Sequence, residues 1–207
     1  MKLFLINLTS AQTIYLSVTI VTVILLLAIS AFFVYKRVWS KKHFKEATYL
    51  KLAHFAKVND YLLLNNFKID FDESHIGVVD HILISNKYIF VINDFDISGV
   101  ISGDSKSQYL RLINNKKQVS KILNPLNYNI NLIKRLNVYN HLDRTFVKGI
   151  VNINNDSYIP SSLVNEQFMM LKRKDITKKI LAFDKEKIAN LKEDDVVNFI
   201  NKLSQKK

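Results

Sequence analysis

The sequence has 207 residues and no cysteine, which excludes disulfides, thiolate metal centres and a cysteine nucleophile. A net charge of +12 favours anionic partners, nucleic acid or the acidic face of a membrane, although a composition rich in Asn, Lys and Ile supplies lysines without any such purpose. The four glycines form no phosphate-cradling loop, and no Gly-x-Ser-x-Gly nucleophile elbow occurs.

The first element in the chain is the most decisive. Residues 13–35, TIYLSVTIVTVILLLAISAFFVY, carry no charge, and about 20 apolar residues suffice to cross the hydrocarbon core. Tyr35 and Trp39 stand where an interfacial aromatic belt is expected, and Lys36, Arg37, Lys41 and Lys42 follow at once. Only Lys2 lies on the other side, so the positive-inside bias predicts a cytoplasmic C-terminal domain. A cleaved signal peptide would have a shorter apolar core, with its basic residues in front of it. The expected layout is an extracytoplasmic tail at 1–12, a transmembrane helix at 13–35, a basic juxtamembrane segment at 36–42 lying against anionic lipid, and a domain at 43–207. Such a chain is a single-pass protein of the cell membrane.

The remainder is long enough for one domain with a core of its own. Phe44, Ala47, Leu50 and Ala53 recur at helical spacing and predict a helix over 40–58. A short strand is expected at 61–67, then a polar turn at 71–74. Residues 77–85 and 87–93 are β-branched and aromatic runs meeting at a turn cluster, which predicts a hairpin. Both runs are almost continuously apolar, as in a sheet covered on both faces. A short strand at 99–103 lies between two glycines, and another is expected at 109–113. Asn124 and Pro125 suit a helix start, with Leu126, Ile130, Ile133 and Leu136 lining one face. Strands at 147–153 and 167–172 and an amphipathic helix at 193–203 complete an α/β sandwich.

Several landmarks fall in a telling order. Val79, Asp80 and His81 form an Ile-Asp-His-like strand start, and Val91 and Ile92 stand where a Val-Ile-Glu-x-Lys strand would place its first two residues. Gly99 to Gly103 reads Gly-x-Ile-x-Gly, Asn124-Pro125-Leu126 opens a helix, and Glu46 lies on the first helix. Together, from residue 46 to about 153, they resemble the NERD family, the nuclease-related domain. That resemblance implies a restriction-endonuclease-like mixed sheet flanked by helices, with an Asp…Glu-x-Lys site. In such a site two carboxylates hold a hard divalent cation such as Mg²⁺. The cation activates water and stabilises charge on the phosphate, and the lysine shares the glutamate's strand face.

Here the pattern breaks at its centre. Asp80 is kept, but Asn93 occupies the glutamate position, Phe95 the lysine position, and Tyr128 the place of a helical glutamine. No catalytic set is intact, and the remnants are Glu46, Asp80, Asn93 and Asp94. The leading expectation is therefore a membrane-anchored, nuclease-related domain without catalysis or cofactor, acting by binding DNA, RNA or a protein partner. An active Mg²⁺-dependent nuclease is the second reading, with Asp80 and Glu46 as metal ligands and Asp94 swung round by a bulge. A structural scaffold at the membrane is the third.

Lys106, Lys116, Lys117, Lys121, Lys134 and Arg135 are the candidate nucleic-acid-binding surface, with Tyr109 and Tyr128 available to stack bases. Lys172, Arg173, Lys174, Lys178 and Lys179 equally suit anionic lipid. Asp70, Asp72 and Glu73 read as a solvated turn, and His81 as a hydrogen-bonded strand histidine. His43, His54, His75 and His141 lack metal-ligand spacing.

Overall fold

The computed structural model describes residues 10–72, 75–140 and 146–204. It divides into two compact units, one reaching to His43 and the other beginning at Phe44.

The described part of the first unit is the helix α1 (Ser10–Lys42), long and apolar enough to cross a membrane. Its few hydroxyls suit that environment. Thr19, Thr22 and Ser30 each donate to the carbonyl four residues back, on Tyr15, Val18 and Leu26, at 2.8 Å. A polar group satisfied within its own helix costs little in lipid. Lys41 and Lys42 sit in the last turn, where cations complement the helix dipole.

The second unit is the mixed α/β domain. It begins with α2 (Phe44–Asn59), whose Phe44, Thr48, Leu52 and Ala56 repeat every four residues and are buried. Three antiparallel strands follow: β1 (Leu62–Asp72), β2 (His75–Ile84) and β3 (Ile89–Asp94). A small antiparallel sheet comes next, from β4 (Val100–Ser102), β5 (Tyr109–Ile113) and β6 (Val119–Leu123). The chain then forms α3 (Pro125–Asn140), β7 (Val147–Ile153), β8 (Phe168–Lys172), α4 (Ile176–Asp184) and α5 (Glu193–Ser204). The main sheet has the order β1-β2-β3-β7-β8, with β7 parallel to both β3 and β8.

Every residue of β3 is buried, the property that its unbroken apolar run predicts. Val91, Ile82 and Ile84 pack on one side with Leu132, Ile133 and Leu136 of α3 and Phe199 of α5. Phe90, Ile92 and Leu83 pack on the other with Leu52 of α2 and Ile176, Ile180 and Phe183 of α4. A third cluster joins Ile101 and Leu110 of the small sheet to Leu126, Val151 and Met170. Full burial of such side chains contributes roughly 1.5–3 kcal/mol each.

Local signals behave as their chemistry requires. Asn124 Oδ1 accepts the Leu126 N–H at 3.1 Å, capping α3 just before Pro125. Gly99 and Gly103 take φ of 134° and 141° and bracket β4. Of the polar turn expected at 71–74, residues 71 and 72 belong instead to β1, which continues to Asp72 through a register irregularity opposite His75, and residues 73 and 74 lie outside the described residues. The side chains of Asp70, Asp72, Glu73, His75 and His141 lie outside the described residues. Strand β6 and helix α4 are elements that the sequence patterns did not announce.

Candidate functional site

The family landmarks meet where β2 and β3 pair antiparallel, with His81 opposite Ile92. Strict alternation fails on β2 at this point. Val79 and Ile82 both pack on the α3 side, so Asp80 and His81, between them, are left to find polar partners elsewhere. On β1, Asn66 takes φ 52° between the residues paired with His81 and Val79.

The polar groups that reach the α2 side form one connected network. Asp80 Oδ1 accepts from Lys45 Nζ at 2.7 Å, and Oδ2 accepts the Asp94 backbone N–H at 2.8 Å. His81 Nε2 faces Asp94 Oδ2 at 3.1 Å, and its Nδ1 faces Asn65 Oδ1 at 2.6 Å. Each ring nitrogen thus faces an oxygen. Asp94 Oδ1 accepts from Asn152 Nδ2 at 2.7 Å, and the same amide donates to Thr48 Oγ1 at 2.9 Å. The Asp94 side chain is wholly buried and His81 nearly so, a position that a carboxylate tolerates only when paired. Arg173 lies nearby, its guanidinium 5.3 Å from the Phe44 ring. Burial pulls its pKa below the usual range, and Asp94 and then Asp96 push it back.

The α3 side is neutral. Asn93 Nδ2 donates to the Val78 carbonyl at 2.9 Å, and its Oδ1 accepts from Asn129 Nδ2 at 3.0 Å. Asn129 also donates to the Val91 carbonyl at 3.2 Å. The Tyr128 hydroxyl reaches the Val78 carbonyl at 2.9 Å, and its ring meets Phe95 edge-on at 6.2 Å. Gly149 permits this approach of α3, because a Cβ there would lie 2.1 Å from Asn129 Oδ1. That oxygen and Asn152 Oδ1 are buried and accept no hydrogen bond from the described residues.

These side chains do not fit a magnesium ion, which takes near-octahedral oxygen ligands. Asn93 uses both ends of its amide on neighbours, and Phe95 offers no donor atom. Asp80 is already paired with Lys45, and both oxygens of Asp94 are engaged, one by His81 and one by Asn152. Glu46 is exposed and lies about 200° round α2 from Thr48. Among the described residues, no group of three His, Asp or Glu side chains is placed to hold a metal. Asp94 keeps to strand alternation, since β3 pairs with β7 without a break from Ile89 to Asp94.

The candidate basic residues separate. Lys106 and Lys134 line an open cleft of about 590 Å³ between the β4–β5 loop and α3, with Tyr128, Asn124, Asn127 and Asn131 beside them. Lys121 stands on the outer face of the small sheet, its Nζ 4.2 Å over the Tyr109 ring. Lys116 and Lys117 occupy the β5–β6 turn, and Arg135 is exposed on α3. Arg173 is buried and leaves the surface cluster that was expected to face lipid.

Sequence reasoning missed Lys45, Asn65 and Asn152, partners in the α2-side network, and Asn129, which holds Asn93 on the α3 side. Asn152 did carry a signal, a lone amide inside an apolar strand.

The family model described as nuclease-related domain matches residues 41–154. No curated protein and no solved structure matches the chain. The matched span covers more than half of the sequence and holds Lys45, Asp80, Asn93, Asp94 and Asn129, and the chain belongs to the nuclease-related domain (NERD) family.

Proposed function

We propose that this NERD protein is anchored in the membrane by α1, presents its domain to the cytoplasm, and binds nucleic acid there without cutting it. The observation that carries this reading is Asn93. It stands at the family's glutamate position and commits both ends of its amide, to Val78 and to Asn129. The Phe95 ring beside it can neither hold water nor offset negative charge. Lys36, Arg37, Lys41 and Lys42 after the apolar run support the orientation. The cleft holding Lys106, Lys134 and Tyr128 supports the partner, offering cations for phosphates and an aromatic ring and amides for bases.

The test uses the full-length chain in nanodiscs of neutral lipid, with labelled single- and double-stranded oligonucleotides. Binding is expected to weaken with salt at a slope of about −0.7 per neutralised phosphate for a single strand. Replacing Lys106 and Lys134 by Ala should flatten that slope, and Mg²⁺ or Mn²⁺ should leave the oligonucleotides intact. No binding at low salt would remove nucleic acid as the partner and favour the protein scaffold. Metal-dependent cleavage lost in Asp80→Ala would establish an active nuclease.

A further inference from the structure

The small sheet has two unlike faces. Ile101, Leu110, Leu112 and Ile122 point inward to the third core cluster. Residues directly opposite one another share a face, so the register fixes what the other face carries. Val100, Ile113 and Val119 form one row across the sheet, which the bridge from Val100 to Tyr158 extends. Ser102, Arg111 and Lys121 form the next row, and Tyr109 and Leu123 the last.

The aliphatic members of this face are unusually open to water. Leu123 is 68 % exposed, Val119 58 % and Val100 45 %. Two of them sit on β6, which pairs only with β5 among the described strands. Exposed aliphatics gathered on an edge strand are a liability in solution and mark a contact surface. Between residues 100 and 123 the charged groups are Lys106, Arg111, Lys116, Lys117 and Lys121 against Asp104 alone.

We propose that this outer face docks on the anionic leaflet of the membrane that anchors the chain. Aliphatic side chains enter the acyl boundary, tyrosines suit the headgroup level, and Lys and Arg meet lipid phosphates. A nucleic-acid strand lying on Tyr109 and Lys121, or in the cleft of Lys106 and Lys134 that Leu123 borders, would leave Val100 and Val119 in water, whereas lipid removes both from it. The lipid is also always near, because α2 begins at Phe44, with only His43 between it and the end of α1 at Lys42. A tether that short gives a high effective concentration, so a modest face suffices. The inference rests on α1 spanning the bilayer.

The chain has no cysteine, so Val119→Cys, on the outer face and outside the cleft, gives a single site for an environment-sensitive fluorophore. The full-length labelled protein is reconstituted in phosphatidylcholine vesicles with or without phosphatidylserine. Emission should shift to the blue, and doxyl lipids should quench the label, only when phosphatidylserine is present. Both effects should vanish in an Arg111→Glu/Lys121→Glu background. A label at Leu181→Cys, exposed on α4, should stay aqueous throughout, and an equal response there would overturn docking by this face. A label that stays aqueous in both vesicles while the protein resists an alkaline wash overturns docking and leaves the anchor standing. Release by the wash overturns the anchor and the docking with it. Protection by an oligonucleotide, without any response to lipid, would overturn docking and assign the face to nucleic acid.

Discussion

The two sides of the main sheet at the β2–β3 strand ends use polarity differently. Towards α2, Asp80, His81 and Asp94 keep their ionisable groups, and every one has a partner. Towards α3, the same two strands offer an amide and an aromatic ring, held by Asn129 and Tyr128. The Glu-x-Lys positions of the family fall on the neutral side. The charges that survive join α2 to the sheet, through Lys45 to Asp80 and through Thr48 and Asn152 to Asp94. Charge at these strand ends ties α2 to the sheet, and the difference between the two sides predicts unequal costs when each is broken.

The largest cost is expected from Asp94→Ala. It leaves His81 Nε2 and one N–H of Asn152 buried without their acceptor, and each orphaned buried group typically costs about 1–3 kcal/mol. Denaturant unfolding of the full-length protein in mild detergent measures it. A loss below about 1 kcal/mol, the scale of an exposed pair, would mean that the network is not what holds α2.

Asn93→Ala should cost less, about 1–2 kcal/mol, because it orphans only one neutral buried donor and opens a small cavity. The Val78 carbonyl keeps the Tyr128 hydroxyl, and Asn129 keeps the Val91 carbonyl. If this change proved costlier than Asp94→Ala, the ranking of the two sides would be inverted.

How much of this was legible beforehand depended on distance along the chain. The covered sheet, the capped start of α3 and the glycines round β4 are local signals, readable from a few adjacent residues. Helix α4 spans only Ile176–Asp184, so its buried Ile176, Ile180 and Phe183 make too short a period to stand out among lysines. Strand β6 was hidden because two of its three outward positions, Val119 and Leu123, are aliphatic and Ser120 on the other face is polar, which blurs the alternation that betrays a strand. The site's partners were invisible for another reason. Lys45 lies 35 residues from Asp80, and Asn152 lies 58 from Asp94, and no local pattern encodes such a meeting. Sequence order drew attention to Glu46, whereas its neighbour Lys45 is the residue that arrives.

A smaller effect is expected from Lys45→Ala, a helix-compatible change. The lysine side chain is 66 % exposed while Asp80 is 10 % exposed. Water screens such a pair, so the loss should be about 0.2–1 kcal/mol and should shrink with added salt. Asp80 would still accept the Asp94 N–H. A loss that salt leaves unchanged would show that the contact is more buried in solution than its exposure implies.

The smallest effect lies at the opposite end of the strands and appears only in alkali. Burial, then a hydrogen bond to Asp184, raises the pKa of Tyr61, which stands just before β1. Tyr88, just before β3, is raised the same way with Glu186 as its partner. A phenol that holds its proton more tightly when folded stabilises the fold fully below the unfolded pKa of about 10. Above that value the unfolded chain loses the proton first, so stability falls as pH rises towards the folded pKa. Lys51 and Lys148, whose pKa values burial lowers, act in the opposite direction, and their contribution ends as pH passes the unfolded lysine value of about 10.4. Comparing the parent with Tyr61→Phe cancels those lysines, which both proteins share. The variant should lose stability less steeply than the parent above about pH 10, as read by denaturant midpoints and phenolate absorbance. Parallel slopes would mean that the Tyr61–Asp184 contact is solvated and holds no proton more tightly than the unfolded chain does.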